Sequence, residues 1–97
     1  MTFSARQLQR KFKHAADFGV TGPYSRGQAM RFEQALRAHV EDQTTVVIPG
    51  TYRGEPVTHF VNPHTGLHVI RGADGAFVSG WRLTPDQLAN VLARRSL

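Results

Sequence analysis

The sequence has no cysteine, which removes disulfides, thiol nucleophiles and every zinc site built on thiolates, so the fold must stand on packing alone. Long apolar runs are missing too, and none exceeds the length of Val46 to Ile48. A membrane-crossing helix is therefore not expected, nor is a secretory leader, because Met1 to Arg10 leads into lysine-rich polar sequence. Acidic residues are scarce, with 7 Asp and Glu against 12 Lys and Arg and a formal charge of +5. That balance draws a polyanion, and nucleic acid is the first candidate. No repeat or low-complexity segment interrupts the 97 residues, so residues 1–97 are read as a single domain with room for one active surface.

Helical periodicity dominates the first half of the chain. Ser4 followed by Gln7 has the form of a capping box, and Ala5, Leu8, Phe12 and Ala15 recur at helical spacing, which predicts a helix from Ser4 to Ala16. Gly19, Gly22 and Pro23 break it. Ala29, Phe32, Leu36 and Val40 then form the stripe of a second helix, Ser25 to Val40, with His39 near its end.

After Asp42 the residues become β-branched and aromatic, punctuated by Gly and Pro. Strands are expected at Thr44 to Ile48, Pro56 to Val61, Leu67 to Arg71 and Phe77 to Arg82, with Gly50 to Gly54 a loop or short edge strand. Thr84, Pro85 and Gln87 repeat the capping pattern and open a last helix through Leu88, Val91 and Leu92. The class is α+β: N-terminal helices packed on one face of a small antiparallel β-meander, with a short C-terminal helix.

Alternation sorts the strand residues by face. If the loop Asn62 to Gly66 sets Val61 against Leu67, then Val57, His59, Val61, Leu67, Val69 and Val78 share one face. Thr58, Phe60, His68, Ile70, Phe77, Ser79 and Trp81 share the other. The aliphatic face is expected under the helices, and the face with His68, Ser79 and Trp81 is expected to do the work. A one-residue slip in register would undo this sorting.

Candidate chemistry concentrates in two places. Arg10-Lys11-Phe12-Lys13-His14 sets two lysines beside a histidine. Lys11 and His14 share a helix face, and Lys13 joins them if the helix loosens near its end. Neighbouring ammonium groups favour a neutral imidazole, the form a general base needs. A solvated basic helix end is the other reading. In the meander, Ser79 lies outside any nucleophile elbow and suits a phosphate or ribose donor beside Trp81 as a stacking platform. Packing of Trp81 on the closing helix is the alternative. A metal site is not expected, because His59 and His68 fall on opposite faces in this register and His64 sits in an exposed turn.

The segments Lys11-Phe12-Lys13-His14-Ala15-Ala16-Asp17-Phe18-Gly19, Gly50-Thr51-Tyr52-Arg53-Gly54, Thr58-His59-Phe60-Val61-Asn62-Pro63-His64-Thr65-Gly66-Leu67 and Ser79-Gly80-Trp81-Arg82-Leu83 together resemble the catalytic domain of the colicin D family. The resemblance spans nearly the whole chain. It implies a bacterial toxin domain that cuts tRNA in the anticodon loop without metal or other cofactor, leaving 2',3'-cyclic phosphate and 5'-hydroxyl ends. It further implies a cognate acidic immunity protein, a monomer, and action in the cytoplasm of a target bacterium after export within a larger toxin. The family's catalytic histidine falls on His14, its two lysines on Lys11 and Lys13, and its Ser-x-Trp pair on Ser79 and Trp81. Arg10, Arg53, Arg71, Arg82 and His68 are expected to grip the RNA, from charge and expected exposure. A non-catalytic basic nucleic-acid-binding module is the rival reading.

Overall fold

The computed structural model describes residues 1–97. Ser4 caps the first helix, α1 (Ala5–Lys11), by accepting from the Gln7 amide at 3.1 Å. Gln7 does not close the box. Its side chain instead donates to the Val78 carbonyl, tying α1 to the sheet. The expected continuation to Ala16 is corrected: from Phe12 the chain winds more tightly, as a 3-10 segment Phe12–Phe18 that ends at Gly19 with φ 83°. The cause is a change of apolar period from about 3.6 to 3. Phe12, Ala15 and Phe18 all pack into the core, and only a three-residue turn puts them on one line. Lys11, His14 and Asp17 thereby fall on a second line. The next helix, α2 (Arg26–Glu41), is capped by Ser25 and buries Ala29, Phe32, Leu36 and His39.

Four strands follow in the spatial order β1-β2-β3-β4, all neighbours antiparallel: β1 (Val46–Tyr52), β2 (Glu55–Val61), β3 (Leu67–Gly72) and β4 (Phe77–Arg82). Gly50 is not in a loop. β1 runs on to Tyr52, which pairs with Glu55 across a tight turn of Arg53 and Gly54, at φ 51° and 83°. Positive φ at both central residues is the geometry whose twist suits a hairpin. β1 is also supported from outside, because Thr51 bridges Ser96 in parallel and Arg53 donates its amide to the Leu97 carbonyl.

The expected register between β2 and β3 is off by one. Val61 stands opposite His68, not Leu67, because Asn62 itself joins the pairing by donating to the Leu67 carbonyl at 2.9 Å. The Asn62 side chain also accepts from His64 and Thr65, which closes a shorter loop than the sequence suggests. A slip of one residue exchanges faces. His59 and Val61 therefore join His68, Ile70, Ser79 and Trp81, while Phe60 joins Val69. A bulge at Ile70 and Arg71 turns Phe77 to the Phe60 side as well.

Both faces of the sheet are covered. Phe60, Val69 and Phe77 pack with Leu8, Ala15, Phe32 and Leu36 under the N-terminal helices. Val61 packs with Leu83 and Val91 under α3 (Pro85–Arg94), joined by Ile48, Trp81 and Leu88. The working face is thus not an open sheet. Its exposed part is the margin where the 3-10 segment, the end of β1 and Trp81 meet.

Candidate active site

The 3-10 segment delivers His14 to Trp81 of β4, with ring centroids 6.1 Å apart. Tyr52, the last residue of β1, lies 6.1 Å from the same indole, and the Arg53 guanidinium stacks 5.0 Å over the Tyr52 ring. Trp81 is fixed on two sides. Its Nε1 donates to Gln87 Oε1 at 3.2 Å, the oxygen that also accepts from the Thr84 amide in the capping box of α3. Beneath it, the His68 ring meets the indole edge-to-face at 5.2 Å and 86°. Trp81 thus packs on the closing helix, the alternative reading of the sequence, and its partly buried ring borders His14.

Electrostatics converge on the same spot. His14 is held below the ordinary imidazole range, first by burial, then by the charge of Lys13 and of Lys11, with Asp17 pulling the other way. The helix tightens rather than loosens, yet the exposed Lys13 still outweighs Lys11 in its effect on the imidazole. Lys11 is itself held below the ordinary lysine range by burial and then by Lys13, Arg53 and Arg10. Arg10 and Arg53 thus belong to the same positive field. The chain has one carboxylate ion pair, Arg37 with Glu33 at 3.0 Å on α2, so none of these cations is neutralised by a salt bridge.

Other expected residues fall elsewhere. Ser79 lies on the Trp81 face, two residues along β4, but at 1% exposure it is no open-face donor. His68 is 0% exposed and cannot grip RNA from the surface. It bonds His59 instead, Nε2 to Nδ1 at 2.8 Å, and His59 Nε2 donates to the Thr51 carbonyl at 3.0 Å. Arg71 occupies the opposite face, donating to Thr58 and lying 5.2 Å over the Phe60 ring, so it is not brought to His14. Arg82 is exposed and tethered to the 3-10 segment, its backbone amide donating to Asp17 Oδ2 at 2.9 Å. No three His, Asp or Glu side chains are grouped as a metal would need.

Two residues of the site were not singled out in the sequence, Tyr52 and Asp17. Reading Arg53-Gly54 as the hairpin turn would have placed Tyr52 at the sheet end. The three-residue spacing of Phe12, Ala15 and Phe18 would have aligned Asp17 with His14.

Comparison with known proteins identifies the family. The colicin D family profile matches residues 7–91. Colicin-D of Escherichia coli is 40% identical over 86 residues, a match that covers 87% of this chain and 12% of that much longer protein. A solved structure described as a ribonuclease from Escherichia coli complexed with its inhibitor protein superposes with a TM-score of 0.84 at 37% identity, covering 94% of this chain and 100% of that one. With a profile match across most of its length and a relative of this identity, the chain belongs to the colicin D family.

Proposed function

We propose that this chain is the ribonuclease domain of a bacterial toxin and that it cuts tRNA in the anticodon loop. One observation carries the reading: an imidazole whose protonation is disfavoured by burial and two lysines borders a partly buried indole, inside a positive field that no salt bridge cancels. Family membership and the likeness to a solved ribonuclease support it.

The RNA supplies its own nucleophile. Neutral His14 takes the proton of a ribose 2'-hydroxyl as that oxygen attacks the adjacent phosphorus, the P–O5' bond breaks, the departing 5'-oxygen takes up a proton from water, and a 2',3'-cyclic phosphate and a 5'-hydroxyl result. Lys11 and Lys13 stabilise the charge that builds on the phosphorane oxygens, a role that needs no metal or other cofactor. Trp81 walls the splayed-out nucleotide. Ser79 reaches a phosphate oxygen only if its neighbours give way, because it is buried. Arg10 and Arg53 grip the backbone, with Arg82 at the margin.

The same field suits an acidic immunity protein, and the solved relative was found with an inhibitor. In this reading the domain is a monomer, carried within a longer exported toxin and active in the target cytoplasm. Short coverage of colicin-D is in keeping with a domain of a larger chain, and no helix is long and apolar enough to cross a membrane.

The test is incubation with total tRNA, resolved on a denaturing gel. The unaltered chain is expected to nick tRNA in the presence of EDTA, at 3' ends that resist direct ligation. The His14→Ala variant is expected to fold and leave tRNA intact. Cleavage by that variant at the unaltered rate would dismiss His14 as the base, and binding without cleavage by the unaltered chain would favour a non-catalytic RNA-binding module.

A further inference from the structure

Beyond Tyr52 the surface opens into a groove of about 510 Å³ between the β1–β2 and β3–β4 hairpins, within the size range of small-molecule sites. Its floor is Val57, Val78 and Gly72, and its rim carries Tyr52, Arg53, Glu55 and Asp74. Gly72 has no positive φ to explain a glycine, but a Cβ there would meet Asp74 Oδ1 at 2.9 Å and Val78 Cγ2 at 3.4 Å. The missing side chain keeps the groove open. Tyr52 belongs to both places, walling this groove and standing 6.1 Å from the indole that faces His14.

The charges at the rim decide what could enter. A phosphate would meet Glu55 and Asp74, two of only 7 acidic residues in a chain of net charge +5, and would be repelled. A nucleobase would not. The Tyr52 ring and the Arg53 guanidinium offer flat faces for stacking, and the apolar floor fits a ring edge. Asp74 Oδ1 is already occupied by the Ala76 amide at 3.0 Å, whereas the exposed Glu55 carboxylate has no ion-pair partner although it lies two residues from Arg53. Guanine presents N1–H and N2–H side by side, a donor pair that matches the two oxygens of one carboxylate.

We propose that this groove is a base-reading subsite, in which the Tyr52 ring, backed by the Arg53 guanidinium, stacks an unpaired guanine adjoining the phosphate held at His14, and Glu55 accepts its N1–H and N2–H. The assignment rests on the ribonuclease reading above and adds to it a determinant of where the chain cuts.

The test uses total tRNA and a pool of short single-stranded RNAs with randomised sequence, sequencing the ends produced by the unaltered chain and by Glu55→Gln, Tyr52→Leu and Tyr52→Phe. Circular dichroism checks that each variant is folded. The unaltered chain is expected to enrich guanine at one position next to the cut, and Glu55→Gln to reduce that enrichment about tenfold. Tyr52→Leu is expected to raise KM about tenfold, and Tyr52→Phe, which retains the stacking ring, to restore it. A flat base profile, an unchanged profile in Glu55→Gln, or an unaltered KM in Tyr52→Leu would overturn the subsite while leaving the ribonuclease reading intact. Failure of the unaltered chain to cut any RNA would overturn both.

Discussion

An imidazole acts as a base only while it is unprotonated, so the charges around His14 set the acid limb of the pH–rate profile. Burial and the two lysines move that limb below the ordinary histidine value of about 6.5. Asp17 opposes them. Replacing Lys13 with Met removes a charge that disfavours the imidazolium, so the limb should move to higher pH while the plateau rate falls. Asp17→Asn removes a charge that favours it, so the limb should move to lower pH. Rate–pH profiles on a tRNA substrate would check both, and shifts in the reverse sense would show that another group sets the limb. The buried pair behind Trp81 is also held below the ordinary imidazole range by burial, and hydrogen bonds fix its tautomers. Since the Thr51 carbonyl can only accept, His59 donates through Nε2, and its neutral Nδ1 must accept from His68 Nε2. His68 Nδ1 is then left as a buried nitrogen without a partner. His68 is held down to about 3 by burial and by the proximity of His59 and His39.

At the scale of elements, the end of β1 is placed by a backbone clamp. Thr51 donates to the Arg95 carbonyl at 2.8 Å and accepts from the Leu97 amide at 3.2 Å, while its carbonyl also takes the His59 bond. Gly50 permits this approach, since a Cβ there would lie 1.9 Å from the Arg95 carbonyl oxygen. Gly50→Ala must therefore push the tail away from β1 and is expected to destabilise the fold by roughly 1–3 kcal/mol, the usual range for forced overpacking. Because the tail also holds the Arg53 amide, RNA affinity should fall with it. Urea titration and a binding assay would check this, and unaltered stability would mean that the tail is not docked on β1. The tightened 3-10 segment is the other placing device. Its core side is Phe12, Ala15 and Phe18, so the packing that buries those residues also aims His14 and Asp17 at β4.

Over the whole molecule, three buried histidines from three different elements tie stability to pH: His39 of α2, His59 of β2 and His68 of β3. Burial lowers the pKa of each. In the unfolded chain each takes up a proton near pH 6.5, whereas in the fold each resists it to lower pH. The unfolded state therefore binds more protons below about 6.5, and stability should decline as pH falls from there. For fully buried His68 the decline is up to about 1.4 kcal/mol per pH unit until its folded value of about 3 is approached. Melting temperatures measured from pH 7.5 down to 4.5 should fall steadily. A level profile would contradict neutral burial of these rings. His68 lies directly under Trp81, so loss of site geometry should accompany the loss of fold.

The elements themselves were legible from local signals, because caps, periodicity and strand alternation act within a few residues. Ser25 before the Ala29-Phe32-Leu36 stripe, the complete Thr84–Gln87 box and the bounds of β4 all appear as expected. The basic character of Lys11, Lys13 and His14 was equally plain. The faces of the sheet were not, since one amide of Asn62 decides whether Val61 meets Leu67 or His68, and a slip of one residue reverses every side chain on β2 relative to β3. That choice moved His59 onto the His68 face and turned a supposed RNA contact into a buried rest for Trp81. Sequence patterning determined which residues are helical, extended or charged, because those preferences are local. Tertiary packing alone decided that Tyr52 and Asp17 join His14 while Arg71 stays away, because such proximity depends on register, bulges and the pitch of one short helical segment.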